Sequence, residues 1–135
     1  MSRTIRRLHP WSLIAALAAG AVQASPEALL ADYAKAGAGP FDPAAGASAW
    51  VQEHSPPKAD APRSCALCHG QDLTRPGRHI TTGKTIEPMA PSVNPERLSD
   101  PVKTERWLGR NCRWTLGRDC TAQEKGDLLR FIASQ

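Results

Sequence analysis

Cys65-Ala66-Leu67-Cys68-His69 spell CxxCH. Two thiols three positions apart can each form a thioether with one vinyl group of a porphyrin, and the next residue then offers an imidazole to iron from the same side. The spacing is that of covalent attachment of a c-type haem. Imidazole donates well to both oxidation states of iron, which suits a durable proximal ligand. On this reading Cys65 and Cys68 hold one haem c and His69 is its proximal iron ligand. CxxC alone also serves redox dithiols and zinc sites. A structural zinc module built from Cys65, Cys68, His69 and a later cysteine is the competing metal reading. A histidine directly after the second cysteine is awkward for tetrahedral closure, and the remaining cysteines have CX7C spacing, unlike the usual zinc pairs.

The sixth position on iron has several candidate donors. Met89 lies twenty residues past His69, in Pro88-Met89-Ala90-Pro91, and His79 and Lys84 lie between them. Asn111 lies 42 residues after His69 and ten before the last expected helix, between Arg110 and Cys112. A thioether favours Fe(II), raises the potential and keeps the site closed. A carboxamide is a weaker, harder donor that holds Fe(III) better and releases on reduction, and distal access of this kind separates diatomic binding from pure electron transfer. Taken alone, an asparagine here reads as a turn or cap residue. Met89 by itself reads as packing at the haem edge, His79 as a surface histidine, and Trp107 and Trp114 as core or haem-edge packing. Arg75, Arg78, Arg110 and Arg113 are candidate bidentate partners for the haem propionates. The Thr82-Gly83-Lys84 turn is placed to set a backbone carbonyl against His69 Nδ1, the contact that orients a ligating imidazole.

The elements that must position these groups follow an export signal. Arg3, Arg6 and Arg7 precede an apolar run from Trp11 to Val22, and Val22-Gln23-Ala24 is a small-residue cleavage site. The run is short for a bilayer span, so cleavage with no stable membrane insertion is expected. Residues 1–24 are read as the signal and 25–135 as one domain, which leaves 111 residues. The formal charge falls from +4 to +1 on losing three arginines, so the basic balance belongs to the leader and gives no case for nucleic acid. Four cysteines in an exported chain should be metallated or oxidised. With Cys65 and Cys68 on haem, Cys112 and Cys120 remain as a disulfide pair. It closes a loop of about nine residues, worth roughly 2.5 kcal/mol, and holds that loop and its neighbour Asn111 in one shape.

Ser25 caps a short helix through Leu29, Leu30 and Tyr33, which Gly37 to Pro40 ends. Asp42 caps a second, with Pro43 at its first position, running through Gly46 and Trp50 towards Glu53. The glycine one turn before Trp50 offers a notch that Phe131 of the last helix can fill. Residues 55–62 are a loop by composition. The proline- and glycine-rich stretch 70–98 shows no periodicity and reads as irregular chain wrapped around a cofactor. Asp100-Pro101 opens a short helix towards Trp107 and Leu108. Thr121-Ala122-Gln123-Glu124 is a capping box before a helix that buries Leu128, Leu129, Phe131 and Ile132. No strand alternation is present, so the domain is expected to be small and all-α.

The chain resembles the SHP-type cytochromes c, the sphaeroides haem protein family, over most of its mature length. The resemblance is carried by CALCHG at 65–70, Thr82-Gly83-Lys84, Ala90-Pro91-Ser92 and Trp107-Leu108-Gly109-Arg110-Asn111-Cys112. It continues in Gly117-Arg118-Asp119-Cys120-Thr121, Glu124-Lys125 and Asp127-Leu128-Leu129. It implies a class I cytochrome c-like fold, Asn111 as the distal ligand of ferric iron and a Cys112–Cys120 disulfide. It also implies binding of O2 and NO at the iron, with electrons from a dihaem cytochrome c in the bacterial periplasm. Met89 stands where the family has an apolar non-ligand and keeps a His/Met alternative open. A haem enzyme, such as an NO dioxygenase or O2 reductase, is the other alternative, although no acid–base pair accompanies the iron site. CO is expected to bind wherever O2 does.

Overall fold

A computed structural model describes residues 26–135. The leader expected over 1–24 and the cap expected at Ser25 lie outside the described residues. The elements run α1 (Pro26–Lys35), α2 (Pro43–Val51), α3 (Cys65–His69), β1 (Gly77–Arg78), β2 (Thr85–Ile86), α4 (Pro101–Leu116) and α5 (Ala122–Ala133).

The starts of α2, α4 and α5 carry the chemistry their sequence announces. Asp42 accepts from the Ala44 N–H at 2.8 Å with Pro43 in the first turn of α2. Asp100 accepts from the Lys103 N–H at 3.0 Å ahead of Pro101. Thr121 and Glu124 form the reciprocal capping box of α5. These side chains satisfy amide groups that a helix terminus otherwise leaves unpaired.

Helices α1 and α2 pack on α5, and α4 lies against α1. The core is Leu29, Leu30 and Tyr33 from α1, Trp50 from α2, and Leu128, Leu129 and Ile132 from α5, closed by Leu73, Ala90 and Leu98 from the irregular segment. Gly46 sets the α2–α5 separation. A Cβ there would overlap the Asp127 carbonyl oxygen and lie 2.7 Å from Phe131 Cβ. Phe131 does fill the notch beside Trp50, with ring centroids 5.8 Å apart.

Three features depart from the sequence reading. The expected short helix at 101–108 continues to Leu116, its last turns tied down past Asn111 by the Cys112–Cys120 bridge. CALCH, read as chain following a loop, is itself a helix, capped by Ser64 through its hydroxyl to the Leu67 N–H at 3.2 Å. A two-rung antiparallel ladder joins β1 to β2, pairing Gly77 with Ile86 and Arg78 with Thr85. Elements this short are below the length at which alternation becomes visible. Segment 70–98 is otherwise irregular, and the Met89 and Ala90 N–H groups tie it back to the Leu73 carbonyl at 3.0 and 2.9 Å.

Candidate haem site

The helical form of α3 explains the CxxCH spacing spatially. Cys68 and His69 follow Cys65 by three and four positions, so all three share one helix face. That face borders a cavity of about 500 Å3. Its wall includes Leu98, Leu108, Leu128, Leu129 and Ile132, and both thiols are unbridged. Burial pushes the Cys65 thiol up to about 11. The backbone of Gly77 lies directly on α3: a Cβ there would overlap the Cys68 carbonyl oxygen and sit 2.8 Å from His69 Cα.

His69 is oriented by contact. The Trp50 indole lies 5.4 Å from the imidazole, tilted by 43°, and its N–H donates to the Gly70 carbonyl at 2.8 Å. Burial, aided by nearby Arg97 and His79, lowers the His69 pKa to about 4, so the ring is neutral with a lone pair available at pH 7. His69 Nδ1 is buried with no hydrogen-bond partner among the described residues. The expected carbonyl from the Thr82-Gly83-Lys84 turn does not reach it, because that turn closes on His79. There the Gly83 N–H donates to the His79 carbonyl and the His79 N–H to the Lys84 carbonyl, both at 2.8 Å.

Asn111 lies inside α4, not in the clipped loop. Leu108, Asn111 and Thr115 recur at three- and four-residue steps and all line the cavity, as does Thr104 one turn earlier. One residue on, Cys112 is bridged to Cys120 with Cα atoms 5.5 Å apart, which ties the last turns of α4 to the residue before the cap of α5. The bridge leaves neither cysteine free to complete a zinc site with Cys65, Cys68 and His69. No group of three or more His, Cys, Asp or Glu arranged to hold a metal ion occurs among the described residues. Glu105, earlier on α4, accepts from the Tyr33 hydroxyl and from Lys125, pinning α4 to α1 and α5.

Met89 is half-buried on the same cavity wall, and His79 borders it; Lys84 does not. Trp107 and Trp114 both line the cavity, the first under Arg110 at 3.9 Å and the second under Arg63 at 4.2 Å. Of the four arginines considered for the propionates, only Arg110 is on the wall. Arg113 pairs with Asp119 at 2.6 Å instead. Three positioning residues are added by the structure: Trp50 against His69, Gly77 under α3, and Arg97 on the wall. Each acts across a loop or between elements, where local spacing carries no signal.

The donor set fits a covalently held haem. Two thiols and a neutral imidazole share a helix face at the edge of an apolar cavity, with an imidazole nitrogen buried beside them. Comparison with known proteins decides the assignment. The chain is 46% identical over 111 residues to cytochrome c-type protein SHP of Cereibacter sphaeroides, spanning 82% of this chain and 84% of that protein. It belongs to the SHP family of c-type cytochromes. Residues 36–132 also match the family described as a domain of unknown function, DUF1924. The solved structure of oxidised SHP, described as an oxygen-binding cytochrome c, superposes with a TM-score of 0.75, covering 82% of this chain and 97% of that one. Oxidised cytochrome c'' of Methylophilus methylotrophus superposes with a TM-score of 0.70 at 27% identity, covering 81% and 93% of the two chains. The protein is a monohaem cytochrome c with an all-α, cytochrome c-like fold, and its cofactor is covalently bound haem c.

Proposed function

We propose that the protein is an exported, periplasmic electron carrier whose Asn111 holds ferric iron and withdraws on reduction, admitting a diatomic ligand such as O2 or NO. The observation that carries this reading is the place of Asn111: on the cavity-lining face of α4, in the cavity that His69 borders, one residue from the Cys112–Cys120 bridge. The oxygen-binding description of SHP supports it.

Haem c, when bound, would supply a one-electron couple and a place for a small ligand. Cys65 and Cys68 would anchor the porphyrin through thioethers, and His69 offers a neutral imidazole braced by Trp50. Asn111 offers a carboxamide oxygen, a weak donor better matched to Fe(III) than to Fe(II). The helix around it, pinned through Glu105 and Cys112, keeps that oxygen near the cavity without a strong bond. Leu98, Leu108, Leu128 and Leu129 keep the surroundings apolar. Electrons would come from a dihaem cytochrome c, for which a processed chain of charge +1 suits brief docking.

A second reading rests on Met89, whose thioether is on the same wall and would make a closed His/Met carrier. Optical spectra separate the two. The dithionite-reduced protein is expected to bind CO with a shift of the Soret band. A low-spin ferrous spectrum that CO leaves unchanged would overturn the Asn111 reading and favour Met89. Steady-state NO consumption faster than free haem, with a physiological donor, would add an enzymatic role.

A further inference from the structure

Among the described residues, three lysine or arginine side chains line the haem cavity, and they differ in what already occupies them. Arg110 is exposed and stacked on Trp107, and Lys103 is exposed. Arg97 is half-buried and takes part in no ion pair among the described residues. Its guanidinium is fixed by backbone instead: Nε donates to the Pro88 carbonyl and one terminal nitrogen to the Glu87 carbonyl, both at 2.8 Å. Asn94 holds the Pro88 carbonyl as well, at 3.0 Å. The other terminal nitrogen has no partner among the described residues. A guanidinium held rigid by carbonyls keeps its charge unneutralised, and burial without an anion is costly. Glu87 is near enough to act on it electrostatically, yet the two side chains do not pair.

His79 presents the matching half. It opens the turn between β1 and β2, and its Nδ1 accepts the N–H groups of Thr81 and Thr82, each at 3.3 Å. With Nδ1 committed as an acceptor, Nε2 is the nitrogen that carries an N–H to donate. The turn is thus built around this histidine, which also borders the cavity. Arg97 and His79 both border the cavity that His69 borders, so each brings a donor to the same enclosure.

We propose that Arg97 and His79 form the carboxylate clamp that holds the haem propionates. Planar guanidinium nitrogens match a carboxylate geometrically, and a histidine N–H adds a second donor from a different element. The clamp rests on the seating of haem by Cys65, Cys68 and His69 and is independent of which residue occupies the distal position. It also gives the irregular segment a specific role, in which Pro88, Asn94 and Glu87 fix the Arg97 donor while the β1–β2 turn fixes the His79 donor.

The test is resonance Raman spectroscopy of the propionate bending modes, with reduction potentials at fixed pH, on holoprotein whose haem content is verified by Soret absorbance and mass. Arg97→Gln is expected to shift a propionate band and lower the potential, since losing a nearby cation favours Fe(III). Arg97→Lys should shift the band less. His79→Phe is expected to shift a propionate band, and His79→Gln, which keeps a donor, to restore most of it. Should Arg97→Gln fail to mature, Arg97→Lys and the His79 pair carry the test. Propionate bands unmoved in fully loaded variants at either position would overturn the clamp. Loss of covalent haem would instead report on Cys65, Cys68 and His69.

Discussion

Asn111 occupies a helix interior, where asparagine costs up to about 0.7 kcal/mol against alanine on propensity alone. That weak preference, with Gly109 two residues earlier, is why the sequence reads as a loop ahead of the last helix. The helix persists because its neighbours are tied down from both ends, by Glu105 and by Cys112. Asn111→Met would replace a hard oxygen with a thioether and is expected to raise the reduction potential and abolish CO binding by the ferrous protein. Potentiometry and CO titration check this, and a variant that still binds CO would show that position 111 does not reach the iron. The covalent anchors were legible because five consecutive residues hold them. The brace on His69 was not, since Trp50 is nineteen residues upstream and nothing in the intervening loop announces the contact.

At the scale of elements, the α2–α5 crossing depends on the missing side chain at Gly46. Gly46→Leu is expected to destabilise by roughly 1–3 kcal/mol or more, because the atom it meets is a backbone carbonyl that cannot swing aside. A lower urea midpoint with an unchanged slope would register it. The cap of α5 carries a pH dependence. Arg118 donates to both Glu124 oxygens, at 2.8 and 2.7 Å. The Arg118 hydrogen bond, with the Thr121 N–H contributing, holds the Glu124 carboxyl down to about 2 against an ordinary 4.5. A depressed folded-state value means the stabilisation is full above pH 4.5 and disappears as pH falls towards 2. Glu124→Gln should therefore flatten the acid limb of the stability curve in that window, measured by denaturation at stepped pH. An unaltered acid limb would assign acid sensitivity elsewhere. Capping signals were the most readable part of the fold, because a cap is a local event. The length of α4 was not, because it is decided by long-range ties.

For the molecule as a whole, helices supply only part of the enclosure, and segment 70–98 supplies much of the rest. Its irregular character could be read from composition, whereas its anchor points, Leu73 to Ala90 and Arg97 to Pro88, are pairings no pattern encodes. Replacing Cys112 and Cys120 together with serine is expected to lower global stability by about 2.5 kcal/mol. It should also broaden the ferric spectrum as the end of α4 loosens, and equilibrium unfolding followed by haem absorbance would measure the first effect. Cys112 adjoins Asn111, so under the proposed ligation one short stretch of backbone answers to two chemistries, the iron couple and the thiol–disulfide balance of its surroundings. A sample made ferrous with dithiothreitol would therefore differ from one made ferrous with a bridge-sparing electron donor. Only the second would report how the amide behaves when the metal alone has changed its charge.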